Sequence, residues 1–173
     1  MGRAIIFDRD GVVNEAVMRN GIPTPPRTLS EFAFVSGFEH LYDYALRKGY
    51  RLFIATNQPD IHRGLTTLDF VSDVHKHITT LFPRIEEVVM CDHDNVHHCF
   101  CRKPNPGMLF YLKGKYDLEM SESFFIGDRN SDVQCGQLAG CKTIFLDHGY
   151  PNAKNNALPT YSVVKLSEVT KFI

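Results

Sequence analysis

Apolar residues along this chain fall into two kinds of run, and the two kinds alternate. Short continuous runs lie at Ala4–Phe7, Leu52–Ala55, Glu87–Met90, Phe124–Ile126 and Thr143–Leu146. Strands without a polar face are covered on both sides, as in a parallel sheet. Between them, apolar positions recur at helical spacing. Phe38, Leu41, Tyr42, Ala45 and Leu46 predict one helix, stopped at Gly49. Leu68, Val71, Val74, Ile78 and Leu81 predict a second, ended by Pro83. Pro106 opens a third that carries Leu109 and Leu112. A fourth follows Asp128, with Asn130 or Ser131 as its cap and Gly140 as its end. The alternation predicts an α/β fold, a doubly wound (Rossmann-like), mostly parallel sheet, with residues 1–173 as one domain. The Pro-rich segment Gly21–Pro26 reads as a structured turn, and after Asp147 the pattern gives out.

Within this frame, His75 and His77 are expected at the surface of the second helix. Phe32, Phe34 and Phe38 are expected as core or loop anchors, and Cys135 and Cys141 as small buried residues.

Composition narrows the partners. A chain of 173 residues can bury a sufficient core by itself. Its formal net charge is -1 and no basic run occurs, so it carries no electrostatic footprint for nucleic acid or an anionic membrane. No stretch approaches the ~20 apolar residues that span a bilayer, and an acid at position 8 comes too early for a secretory signal. Of the five cysteines, three crowd into 91–101, which points to metal in a reducing compartment rather than to disulfides. A cytoplasmic protein acting on a small molecule is expected.

Ligands of open α/β sheets bind beyond the carboxyl ends of the strands. Asp8-Arg9-Asp10-Gly11 follows the first run, Thr56-Asn57-Gln58 the second, and Gly127-Asp128-Arg129-Asn130-Ser131-Asp132 the fourth. Acids that converge this way repel unless a hard cation such as Mg2+ neutralises them. Magnesium also draws phosphate oxygens and offsets charge on a transferring phosphoryl group. A carboxylate can attack phosphorus, and a second acid two residues on can exchange protons with the leaving oxygen and the incoming water.

In their order and over nearly the whole chain, these residues resemble the four motifs of the haloacid dehalogenase-like (HAD) phosphohydrolases. The resemblance implies that Asp8 is the nucleophile and Asp10 the general acid/base. It implies that Thr56 holds the phosphoryl group and that Lys103, in Arg102-Lys103-Pro104, pairs with the nucleophile. Asp8, Asp128 and the backbone carbonyl of Asp10 would hold Mg2+, with Asp132 in support. The motif spacing leaves no room for a large cap domain, and a monomer is implied.

One segment has a second chemistry. Cys91, His93, Cys99 and Cys101 follow a Cys-x-His-x5-Cys-x-Cys pattern, a closed tetrahedral set for structural Zn2+, with His97 or His98 as alternatives to His93. The zinc loop would deliver Arg102 and Lys103 to the site. It narrows the resemblance to the histidinol-phosphate and heptose-bisphosphate phosphatase branch. The loop spacing resembles the first type. Asn57-Gln58-Pro59-Asp60-Ile61-His62-Arg63-Gly64 and Cys101–Met108 resemble the second, although Pro59 and Asp60 depart from its Ser-Gly.

A sugar bisphosphate such as heptose 1,7-bisphosphate is therefore the expected substrate, and histidinol phosphate the alternative. A polynucleotide 3′-phosphatase and an inactive zinc-stabilised binding module are more remote. Arg102 would grip a phosphate remote from the reacting one, or else pair with Asp92 or Asp94. Asn57 and Arg63 are further candidates for substrate contact, and Arg9 for lining the site.

Overall fold

Each of the five continuous apolar runs is a strand, and the sheet they build has a sixth member. The structure, a computed structural model, describes residues 2–150 and 157–173. Its strands are β1 (Ala4–Phe7), β2 (Val17–Arg19), β3 (Ile22–Thr24), β4 (Arg51–Asn57), β5 (Ile85–Cys91), β6 (Phe124–Gly127), β7 (Lys142–Leu146) and β8 (Tyr161–Val163). Its α-helices are α1 (Phe38–Arg47), α2 (Pro59–His62), α3 (Leu68–Leu81), α4 (Gly107–Tyr116) and α5 (Asn130–Ala139).

Six strands pair in parallel in the order β5-β4-β1-β6-β7-β8. The chain winds outward from β1 through β4 to β5, then returns to β6 on the other side. The order thus reverses at β1, the place where open sheets form a crevice. The strand ends flanking that crevice are those of β4, β1 and β6.

Side chains alternate across the sheet and divide it between two cores. Ile5, Phe7, Leu52, Ile54, Phe124 and Ile126 face one side, where Phe38 and Leu41 of α1 and Val74 and Ile78 of α3 cover them. Ala4, Ile6, Phe53, Ala55 and Phe125 face the other, under Leu109 and Leu112 of α4 and Cys135 and Ala139 of α5. The predicted phenylalanine anchors belong to the first core. The Phe38 ring meets Phe7 and Phe82 edge-on at centroid distances of 5.4 and 5.0 Å, while Phe32 and Phe34 pack from its margin. Cys135 and Cys141 are buried as expected.

Three local expectations are corrected. The Pro-rich segment is not only a turn: Ile22–Thr24 pairs antiparallel with β2 as a hairpin, turned at Asn20 and Gly21, both with positive φ. Pro23 is tolerated because a two-stranded edge leaves its missing N–H without a required partner. The end of the chain, unreadable as a pattern, supplies edge strand β8 and a 3-10 segment whose Leu166 and Val169 join the first core. Helix α5 begins one residue early. Its cap is Arg129, whose backbone N–H is satisfied by Asp132 at 3.0 Å. Among the described residues no helix is long and apolar enough to cross a membrane.

Candidate active site

The residues predicted at three strand ends, acids after β1 and β6 and Thr56 at β4, lie together at the crevice. Asp8 leaves β1, and its backbone N–H still bonds Ile126 O of β6 at 2.8 Å. Asp128 follows β6, and Thr56 lies near the end of β4. Gly11 makes the close approach possible. It has φ +95°, and a Cβ there would stand 2.1 Å from Asp128 Oδ2. Only glycine meets both requirements.

Asp8 is buried and its Oδ1 takes two bonds, from Lys103 Nζ at 2.7 Å and Arg9 N at 2.8 Å. Lys103 reaches Asp132 Oδ1 at the same 2.7 Å and is nearly inaccessible. Burial raises the Asp8 carboxyl to about 6 against the pull of Lys103, with Asp132 and Asp10 adding to the rise. Burial alone would lower the Lys103 ammonium, but Asp132 and Asp8 raise it instead. It is a fixed positive charge.

Asp128 differs from its neighbours. Both carboxylate oxygens are buried, and neither has a hydrogen-bond partner. Burial pushes its carboxyl well above the ordinary range, and Asp8 and Asp132 push it further. Buried polar groups are nearly always satisfied, so this pair of oxygens calls for a cation. Oxygen atoms of Asp8, Asp128 and Asp132 lie within 4.8 Å of one another. An all-oxygen donor set of this charge fits a hard divalent ion. Lys103 pairs with Asp8 and Asp132 alike at 2.7 Å, and Asp128 is the acid of the three that it leaves unpaired.

Asp10 is held by three side chains. The guanidinium of Arg9 forks onto it through Nε and Nη2 at 3.2, 2.9 and 3.0 Å. Asn14 Nδ2 bonds its Oδ1 at 3.0 Å, and Gln58 Nε2 its Oδ2 at 2.6 Å. Burial would raise the Asp10 carboxyl, but Arg9, Asn14 and Gln58 outweigh it and hold the group below the usual range. Gln58 also donates to Thr56 Oγ1 at 2.9 Å, linking the acid to the hydroxyl.

His75 departs from the surface position expected of it. It is not a surface residue: its Nε2 lies 3.0 Å from Arg9 Nη1. Because arginine can only donate, the ring accepts there and carries its proton on Nδ1. Burial, and then Arg9, lower its pKa to about 3, so the ring is neutral. His77 is exposed as expected, although its ring stacks on Phe34. A signal for His75 was present: it stands four residues after Val71 and three before Ile78, on the apolar face. Gln58 gave no such signal.

The zinc-loop residues converge. Cys91 Sγ lies 3.5 Å from Cys99 Sγ and 3.0 Å from Cys101 Sγ, and Cys99 and Cys101 are 3.4 Å apart. His93 Nδ1 stands 3.6 Å from Cys91 Sγ and 3.4 Å from Cys101 Sγ. Ligands on a tetrahedral Zn2+ at 2.3 Å would stand about 3.8 Å apart, so the cluster is slightly tighter than a filled site. His93 is the histidine brought to the thiols; His97 Nδ1 instead bonds its own turn at Asp94 N, 3.1 Å away.

The remaining candidates ring a cleft of about 360 Å³ that opens over Asp8 and Asp10. Asn57 and Arg102 line it, but each also makes structural bonds. Asn57 exchanges two 3.1 Å bonds with the backbone of Lys103. Arg102 pairs with neither Asp92 nor Asp94; it donates to Asn95 Oδ1 at 2.8 Å and His93 O at 3.0 Å. Arg63 forks onto Asp94 at 2.6 and 2.7 Å and lies 3.5 Å from buried Asp60. Asp60, which stands where the heptose type has Gly, also takes a two-pronged bond from Arg27 at 2.8 and 2.9 Å. Arg129, which sequence reasoning passed over, lines the cleft and donates to Pro23 O of the hairpin at 2.7 Å.

A family model described as HAD-hyrolase-like matches residues 100–169. A D-glycero-alpha-D-manno-heptose-1,7-bisphosphate 7-phosphatase of Campylobacter jejuni is 35% identical over 148 residues, covering 83% of this chain and 81% of the relative. The chain belongs to the HAD-like heptose-bisphosphate phosphatase family. A D-glycero-beta-D-manno-heptose-1,7-bisphosphate 7-phosphatase of Helicobacter pylori is 30% identical, with 83% of each chain covered. The fold of this family member superimposes on the crystal structure of D,D-heptose 1,7-bisphosphate phosphatase from B. bronchiseptica, complexed with magnesium and phosphate. That match has a TM-score of 0.84 and 25% identity, and covers 98% of this chain and 96% of the other.

Proposed function

We propose that this phosphatase removes the 7-phosphate of D-glycero-D-manno-heptose 1,7-bisphosphate through a phosphorylated Asp8. The observation that carries the proposal is the contrast between two acids two residues apart. Asp8 is held only through Oδ1 by Lys103 and Arg9 N, which leaves Oδ2 free of hydrogen bonds among the described residues. Asp10 is gripped at both oxygens by neighbouring side chains. Asp8 keeps an oxygen free to attack, and Asp10 is fixed in place two residues on, where the family resemblance puts the general acid/base.

In the first half-reaction Asp8 attacks phosphorus, the P–O ester bond breaks with its electrons going to the sugar oxygen, and Asp10 protonates that oxygen. In the second, Asp10 takes a proton from water as it attacks the acyl phosphate and frees Asp8. Thr56 and Lys103 orient the phosphoryl oxygens, and Lys103 keeps Asp8 ionised. Asp8, Asp128 and the Asp10 carbonyl would hold magnesium, which when bound offsets charge on the phosphoryl group.

Arg102, Asn57 and Arg63 are assigned to the remote end of the substrate, where an arginine fork suits the 1-phosphate. Zn2+ on Cys91, His93, Cys99 and Cys101 would have a structural role, fastening the loop that leads into Lys103. The same thiols favour the reducing cytoplasm, and a monomer acting on a small sugar phosphate, with no nucleic-acid partner, completes the proposal.

The test is phosphate release, with magnesium, from both anomers of heptose 1,7-bisphosphate and from histidinol phosphate, with Asp8→Asn as the blank. Preference for one heptose anomer, abolished in the blank, is the expected result. Preference for histidinol phosphate would overturn the substrate assignment.

A further inference from the structure

Arg9 is the largest fully buried side chain among the described residues, and it stands between the two reacting acids in sequence. A guanidinium has five N–H donors to satisfy. Those on Nε and Nη2 go to Asp10, and Nη1 meets His75 of α3 at 3.0 Å. His75 does not line the cleft. A polar ring on the apolar face of a helix is costly unless it is bonded, and here its acceptor nitrogen is spent on Arg9.

We propose that His75 is a positioning residue: by taking the Nη1 hydrogen of Arg9 it fixes the fork that aims the Asp10 carboxyl. The inference rests on the role proposed above for Asp10. Asn14, in the loop after β1, and Gln58, just past β4, hold Asp10 as well. Among the described residues the Arg9–His75 contact is the hydrogen bond that ties this group to α3, so loss of the His75 acceptor frees the guanidinium to turn and loosens its fork on Asp10. His75 touches neither phosphoryl group nor substrate; it acts through Arg9.

A residue that merely filled space would affect all substrates alike. A residue that aims the acid matters most where the leaving oxygen needs a proton. A sugar alkoxide needs one, whereas p-nitrophenolate leaves unaided. The kcat/KM value reports steps up to the first irreversible one, so it isolates this demand.

The experiment compares kcat/KM for heptose 1,7-bisphosphate and p-nitrophenyl phosphate, in the magnesium-loaded full chain, across three variants. His75→Met keeps the bulk and removes the acceptor. It is expected to lose about tenfold or more on the sugar phosphate, in kcat rather than KM, and less than about threefold on the aryl phosphate. His75→Gln, whose side-chain oxygen can still accept, recovers most of the loss. Asp10→Asn shows the same selectivity more strongly. If circular dichroism finds His75→Met unfolded, His75→Asn, with an amide too short to reach Arg9, replaces it in the comparison. Equal losses on both substrates, no loss on either, or no recovery in His75→Gln overturns the positioning role while a selective Asp10→Asn defect leaves the acid/base role standing. An Asp10→Asn variant without a selective defect overturns the acid/base role itself.

Discussion

Nζ of Lys103 lies 2.7 Å from Oδ1 of Asp8, with both side chains buried and the two residues 95 positions apart in the chain. The same ammonium meets Asp132 on its other side. It is the charge that lets acids gather at this crevice before any metal arrives. Lys103→Met should cost about 3 kcal/mol of stability in metal-free protein, the scale for removing one partner of a buried pair. Hydrolysis should fall at least about a hundredfold. Denaturant unfolding with and without magnesium checks the first effect, and magnesium should recover part of the loss.

Magnesium removal should show itself in pH dependence. Asp8 titrates near 6 in the folded chain against 3.8 ordinarily. Between those values the metal-free native state keeps a proton that the unfolded state has lost, so the Asp8 contribution to stability falls as pH rises. The total is about 3 kcal/mol, reached just above pH 6. Magnesium needs the ionised acids and reverses the penalty. The rise in Tm on adding magnesium should therefore be small near pH 4 and large at pH 7, and a pH-independent rise would contradict this account of the site.

His75 acts in the opposite direction. Its folded pKa of about 3 lies below the ordinary 6.5. As pH falls from 6.5 toward 3, the unfolded state takes up a proton that the native ring refuses, and stability is lost by up to about 1.4 kcal/mol per pH unit. His75→Gln has no such titration. Its stability relative to the parent should improve steadily on acidification, measured by urea unfolding at matched pH.

The thiol cluster predicts a folding role for metal. Chelation, or Cys99→Ser, should release about one zinc per chain and loosen residues 91–101, which lead directly into Arg102 and Lys103. Atomic absorption together with hydrogen exchange across the loop checks this. Full zinc occupancy in Cys99→Ser would remove that cysteine from the ligand set.

What could be read from sequence follows from how each feature is encoded. Strands β1, β4, β6 and β7 carry their burial in continuous apolar runs, whereas edge strand β5 is only partly buried along Glu87–Met90; the residues after the runs of β1, β4 and β6 name their chemistry by type alone. Strand β8, with an exposed residue between partly and fully buried ones, has no such run. The β2–β3 hairpin was hidden by prolines that usually end a strand. The Arg9 partner of His75 and the Arg27 fork on Asp60 come from distant segments, and no local spacing specifies them. Arg9 shows the limit most clearly. Its position between two acids suggested a lining residue, yet it is 1% exposed and belongs to the buried support of Asp10.

The central claim is that phosphate passes through Asp8. Its most direct test is mass spectrometry of the Asp10→Asn variant after turnover with magnesium and p-nitrophenyl phosphate, where the first half-reaction proceeds and the second stalls. The account predicts one phosphoryl group on the peptide containing Asp8. A phosphoryl group on another residue, or undiminished turnover by Asp8→Asn, would contradict it.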